Sequence, residues 1–214
     1  MGRAGPKGAR ASREIRKQAI IDAATQLLAE MPVGEISLRE LSRRVGLSNT
    51  NVMRYFETRE AVIFELLNRS LSRWIEELPA ELPSAGAHGA ASPEAVTDAL
   101  ARSLLCELLS ALGSELERNL SAESAREFKL AHGRLLGTPA DLVQRDITAL
   151  TPTAAREPVS LTVVCTAELW PVAHPSEAVA EAQRDPELAG TRVDFAERLG
   201  RTLHVAVTGL LTLG

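Results

Sequence analysis

Residues 37–56 read SLRELSRRVGLSNTNVMRYF, two short amphipathic segments separated by Gly46, Leu47 and Ser48. Ser37 and Glu40 form a capping-box pattern, in which each side chain satisfies an exposed backbone N–H near a helix start. The first segment runs through Val45 and stops at Gly46, which tolerates the left-handed conformation needed there. Ser48 caps the second segment, which extends to Tyr55 or Phe56. Leu38, Leu41, Val45, Leu47, Val52 and Tyr55 or Phe56 fall on inward faces, with the small Ser42 where the helices cross. Asn49, Thr50, Asn51, Met53 and Arg54 remain outward on the second helix. They are donors, acceptors and one apolar group, the kinds of side chain that read base edges and phosphates. The pair therefore has the form of a helix-turn-helix whose second helix enters a major groove. A plain helical hairpin with a solvated face shares the same spacing.

Working outward, Ser12 is an N-cap for a preceding helix with Ile15, Ala19, Ile20, Ala23, Ala24, Leu27 and Leu28 at helical spacing. Pro32 and Gly34 break that helix. Thr58 caps a fourth, which Pro79 ends, and residues 79–93 form a Pro/Gly/Ala loop. Ser92-Pro93 opens the next helix, over 94–112. Residues 114–150 read as further helix, interrupted at Gly113 and near LGTPAD, residues 136–141. Residues 157–172, the most continuously apolar stretch, read as helix; a buried strand there would have no partner in the chain. The last segment, 191–213, is amphipathic and helical. The fold class expected is all-α.

Composition agrees with that class. Apolar residues make up 45% of 214, dominated by Ala and Leu, and only seven residues are aromatic, a balance that favours helices over a β-sandwich. No apolar run approaches the ~20 residues needed to span a bilayer, and no signal-like segment follows the basic start. A cytoplasmic protein with no membrane partner is expected. Net charge is −4, but it is unevenly placed. Residues 1–60 carry 11 Lys/Arg against 7 Asp/Glu, and residues 61–214 carry 13 against 21. A basic end on an acidic body is an electrostatic footprint for a polyanion. Cys106 and Cys165 stand apart, with no Cys or His at metal-ligand spacing, so neither metal nor disulfide is expected.

The order of a long helix, the bent pair, RYF at its end and ETREAV leading into another long helix resembles the DNA-binding domain of TetR-family transcriptional regulators. The resemblance spans residues 12–68 and is weaker beyond them. It implies a three-helix helix-turn-helix domain over 12–58 and a larger helical ligand-binding and dimerisation domain over 59–214; residues 1–11, rich in Gly, Ala and Arg, read from their composition as a flexible basic arm. Carried over, the phosphate-contacting positions are Ser37, Tyr55 and Arg59, with Arg39 and Arg54 also at DNA. The base-facing positions are Asn49, Thr50, Asn51 and Met53. Thr50 stands where the family often has Gly or Pro, and Met53 where it usually has Tyr, so the operator is not transferable from relatives.

The resemblance further implies a homodimer on a palindromic DNA operator, most members being repressors, and release by a small-molecule effector. Its interface would be built from the last two long helices, about 158–172 and 191–213, the second of which carries Val193, Ala196, Leu199, Leu203, Ala206, Val207, Leu210 and Leu211 along one broad stripe. A pocket among the middle helices would draw on Trp74, Leu105, Cys106, Leu109, Phe128, His132 and Trp170, an apolar lining suited to a hydrophobic ligand. Core packing is the ordinary alternative for each. No phosphate loop, HExxH or nucleophile elbow is present, and the four histidines are scattered, so neither catalysis nor a cofactor is expected. A helical protein-binding adaptor that keeps the helix-turn-helix only as a scaffold is the other reading; it does not account for a cationic first domain.

Overall fold

The computed structural model describes residues 6–81, 105–111 and 120–213, among which every regular element is helical. The head consists of α1 (Pro6–Leu28), a 3-10 turn (Val33–Glu35), α2 (Leu38–Val45) and α3 (Asn49–Met53). The body contains α4 (Arg59–Glu81), α5 (Leu105–Ala111), α6 (Ala122–Asp146), α7 (Arg156–Ala173), α8 (Glu177–Ala182) and α9 (Phe195–Leu213). In the head, α1 packs on α2 and α4, and α2 on α3. In the body, α4 packs on α5 and α6, while α7 packs on α5, α6 and α9.

The local signals around the bend act as expected. Ser37 Oγ accepts from the Glu40 amide at 3.1 Å, and Gly46 ends α2 at φ 67°. Ser48 Oγ accepts from the Asn51 amide, and Thr58 Oγ1 from the Ala61 amide. Leu41 and Val52 are fully buried in one core with Ile20, Ala24 and Leu27, and Leu38, Val45 and Leu47 pack against that core.

Several boundaries differ from the sequence reading. Helix α1 begins at Pro6, not Ser12: proline is at home in the first position, where its missing amide costs nothing, and the Ala- and Arg-rich residues after it are good helix formers. Half of the capping box is absent, because the Glu40 carboxylate turns to the Arg43 guanidinium instead of the Ser37 amide. Helix α3 stops at Met53, with Arg54 as its C-cap. Helix α4 continues through Pro79 to Glu81, and α6 runs unbroken through residues 136–141. In α6 Pro139 is buried beside Ala140, and packing offsets the lost amide donor. Helix α9 starts at Phe195, after a 3-10 turn over Pro186–Thr191, because Asp194 Oδ1 accepts from the Glu197 amide at 2.8 Å. Residues 157–172 lie within the helix α7, which resolves the strand alternative. The first three residues of the expected loop belong to α4, and the rest of it, the Ser92-Pro93 helix start and the Gly113 break lie outside the described residues.

Two buried polar groups yield tests. Ser42 is 4% exposed, and its Oγ has no hydrogen-bond partner among the described residues. Replacing it with Ala removes an unsatisfied hydroxyl from a helix interior, so Ser42→Ala should raise stability by up to about 1 kcal/mol, whereas Ser42→Leu should overpack the crossing and cost ~1–3 kcal/mol in urea denaturation. The second is His132 on α6, whose Nδ1 lies 3.3 Å from Asn68 Oδ1 on α4. Burial, with a smaller push from Lys129, holds its pKa below the usual 6.5. The unfolded chain then takes up this proton more readily than the folded one. Its contribution is fully present above pH 6.5 and is lost as pH falls through the lowered folded value. The urea midpoint should drop between pH 7.5 and 5.5, and His132→Gln should reduce that drop.

Candidate nucleic-acid interface

The second helix of the bent pair displays the side chains expected of it. Asn49, Thr50, Asn51, Met53 and Arg54 are all exposed, as are Ser37 and Arg39 beside them on α2. Met53 is 52% exposed, a large apolar group left in water on an otherwise polar surface. Such a group has the chemistry to meet a thymine methyl. Ser37 spends only an acceptor on its cap, which leaves its hydroxyl hydrogen to donate.

Electrostatics sort the arginines of the head into two sets. Arg44 makes a bidentate pair with Glu30, Nη1 to Oε1 at 2.9 Å and Nη2 to Oε2 at 2.6 Å, which ties the end of α1 to α2. Arg43 is held by Glu40 one turn earlier on its own helix. These hydrogen bonds lower the pKa values of Glu30 and Glu40. Arg39 and Arg54 form no ion pair with a described residue. Arg39 stands in the first turn of α2 and Arg54 caps the end of α3, and both face solvent.

Tyr55 and Arg59 are placed differently. Tyr55 is half-buried and packs against the core next to Phe56. Arg59 is only 20% exposed, and its Nη1 donates to the Gly34 carbonyl at 3.1 Å. That bond fastens the start of α4 to the 3-10 turn, a role that a cation in a first helical turn gave no hint of in the sequence.

Head and body meet through two carboxylates that the sequence did not single out. Glu57 Oε2, in the turn before α4, accepts from Ser121 Oγ at 2.8 Å and Ser124 Oγ at 3.0 Å at the start of α6. Glu107 on α5 accepts from the Val33 amide, and burial nonetheless raises its pKa. Contacts of this kind, far apart in sequence, leave no local signature. A cleft of about 450 Å³ opens where α1, α4 and α6 converge, lined by Lys17, Tyr55, Glu57, Asn68, Phe128 and Arg134 among others.

The residues expected in an effector pocket do not gather around this cleft; Phe128 alone of them lines it. Leu105, Cys106 and Leu109 are core residues of α5, and burial pushes the Cys106 thiol up to about 12. Trp74 is half-buried on α4, and Trp170 sits edge-on to Phe195, ring centroids 5.1 Å apart. Trp74 Nε1 and the fully buried Thr166 Oγ1 lack hydrogen-bond partners among the described residues. Thr166 was missed in the sequence, where its only signal is a lone hydroxyl in an apolar helix.

The expected dimer stripe divides. Leu199 and Leu203 are buried in the chain's own core, whereas Leu211 is 45% exposed and Val193, Ala196, Ala206, Val207 and Leu210 are intermediate. Val205, 63% exposed, was not in the stripe and stands on the outward face of α9; Val164 and Val172 are exposed on α7. Among the described residues no cluster of His, Cys, Asp and Glu could hold a metal ion, and no helix is long and apolar enough to cross a membrane.

Comparison with known proteins places this geometry. Residues 20–66 match the family model described as bacterial regulatory proteins, tetR family, and residues 68–213 match that of the tetracyclin repressor-like C-terminal domain. The HTH-type transcriptional regulator EthR of Mycobacterium tuberculosis is 35% identical over 69 residues, 32% of this chain and 32% of that relative. EthR of Mycobacterium bovis matches to the same extent, so the chain spans about a third of the length of these curated relatives. The fold resembles a tetR-family regulator from Streptomyces coelicolor, with TM-score 0.57, 18% identity and coverage of 91% of this chain and 80% of that one. It also resembles FadR from Bacillus subtilis in complex with stearoyl-CoA, with TM-score 0.53, 17% identity and coverage of 90% and 98%. With family models matched along nearly its whole length, head and body alike, the chain belongs to the TetR family of transcriptional regulators.

Proposed function

We propose that the protein is a repressor that binds a palindromic DNA operator as a homodimer and leaves it when a small apolar ligand enters the body. The observation that carries this reading is the outward face of α3, where Asn49, Thr50, Asn51 and Met53 stand exposed between the unpaired Arg39 and Arg54. Asn side chains present donor and acceptor together, as a bidentate contact to adenine requires, and the flanking guanidinium groups suit phosphates. Ser37 and Tyr55 add hydroxyl donors. Arg59 acts chiefly by holding α4 against the 3-10 turn.

In this reading residues 12–58 are the reading unit and residues 59–214 the sensing and pairing unit, with α4 shared by both cores. The dimer forms through the outward faces of α7 and α9, where Val164, Val172, Val205 and Leu211 lie exposed. Leu199 and Leu203 support that face from behind. The ligand takes its place among the apolar residues of the body, and Trp74 Nε1 and Thr166 Oγ1 offer it hydrogen bonds that they otherwise lack. FadR, of the same architecture, holds stearoyl-CoA, which supports a long apolar ligand class. A ligand that shifts α5 or α6 pulls on Glu107 and Glu57, and so on the spacing of the two reading heads. A coupling of ~3 kcal/mol would weaken operator binding on the order of a hundredfold.

Binding of the full chain to pooled random duplexes at increasing salt, followed by sequencing of the retained DNA, tests the reader. Enrichment of one palindrome, with half-sites about a helical turn or a multiple apart and affinity falling steeply with salt, is the expected result. Retention without a preferred sequence would overturn the specific-reader claim and favour the adaptor. For the dimer, Val205→Glu buries an uncompensated carboxylate from each protomer in a symmetric interface, at ~3–5 kcal/mol apiece. Sedimentation should show monomers with an unchanged circular dichroism spectrum, and operator affinity should collapse. A variant that still sediments as a dimer would place the interface elsewhere.

A further inference from the structure

Helix α1 carries a cationic face that the helix-turn-helix does not use. Arg10, Arg13 and Lys17 stand at i, i+3 and i+7, on one side of the helix. Lys17 Nζ lies 5.5 Å from the centre of the Phe56 ring, in the turn between α3 and α4, so the inner end of this face adjoins the turn that follows the reading helix. Toward the start of α1 it moves away from that point by 1.5 Å per residue, which sets Arg10 about 10 Å beyond Lys17, roughly three nucleotide steps along a duplex strand.

Arg10 and Arg13 are exposed, and neither pairs with an acid among the described residues. The one acid between residues 6 and 17 is Glu14, which is drawn toward Arg69 on α4, 3.8 Å away. Arg43 and Arg44, by contrast, are neutralised within the protein, whereas Arg39 and Arg54 are left unpaired among the described residues, like Arg10 and Arg13. A charged face left unpaired beside a phosphate-contacting surface has duplex DNA as its natural counterpart.

We infer that the Arg10–Arg13–Lys17 face of α1 grips backbone phosphates flanking the half-site read by α3, so that the protein covers more duplex than its helix-turn-helix reaches. The inference rests on the operator-binding reading above. It differs from a basic arm threaded along a groove, because the chain is already helical from Pro6 and presents its charges as a fixed ridge. Phosphate contacts of this kind add affinity and salt dependence without adding sequence preference.

The test compares two duplexes, the selected palindrome alone and the same palindrome with about ten base pairs added on each side, by anisotropy titration over a range of salt. For the wild-type chain, affinity on the longer duplex should fall more steeply with salt, by ~0.9 in the log–log slope per added phosphate contact. Arg10→Gln/Arg13→Gln should bring the longer duplex down to the slope of the shorter one and leave the shorter one unchanged. Arg73→Gln/Arg126→Gln, an equal charge change on the body, should keep the wild-type difference between duplexes. Equal slopes for wild type on both duplexes, or an equal loss by the α1 variant on both, would overturn the inference while leaving the operator reading intact. A wild-type chain with no sequence preference would overturn that reading, and the inference with it.

Discussion

Helix α4 is buried on two sides at once, and the rest of the molecule is arranged around that fact. Val62, Ile63, Phe64, Leu66 and Leu67 are all buried, a set too closely spaced to share one face. One side packs with α1 into the core of the head, and the other packs with α5 and α6 into the body. Each such side chain withdrawn from water contributes ~1.5–3 kcal/mol. The head is therefore held to the body by continuous packing. A close-packed interior transmits displacement instead of absorbing it, which gives any rearrangement among the body helices a direct mechanical route to the reading surface. Glu57 against Ser121 and Ser124, Glu107 against Val33, and Arg59 against Gly34 then fix the angle that the packing alone leaves adjustable.

The charges of the head follow a comparable division of labour. Arginines with an acid in reach build structure: Arg44 clamps α1 to α2, and Arg43 steadies the first turn of α2 through Glu40. Those without one line the outer surface. Burial spares the reading helix itself, where only Val52 of its five residues is fully withdrawn. The acidic excess of residues 61–214 keeps the body away from a polyanion that the head attracts.

How far this could be read in advance depended on the range of the interaction concerned. The caps at Ser37, Ser48 and Thr58 and the left-handed Gly46 are set by neighbours within four residues, and all were legible. So was the exposure of Asn49, Thr50, Asn51, Met53 and Arg54, because the apolar positions around them leave one face over. Proline was misleading: Pro79 and Pro139 looked like helix ends, yet a single missing amide donor weighs less than the packing of a long helix. The apolar stripe of α9 shows the limit of periodicity, which marks an apolar side but does not say whether its own chain or a second one covers it. Leu199 and Leu203 went to the first and Val205 to solvent.

The sequence by itself determined the helical class, the bent pair and the side chains it turns outward, because these follow from backbone preferences and amphipathic spacing that act over a few residues. Only the tertiary structure decided which arginines remain unpaired, which carboxylates join head to body, and which apolar residues of α7 and α9 stay in water. Each of those outcomes depends on a partner many residues away, brought within hydrogen-bond or van der Waals distance by the packing of α4 on both sides, and no spacing along the chain records it.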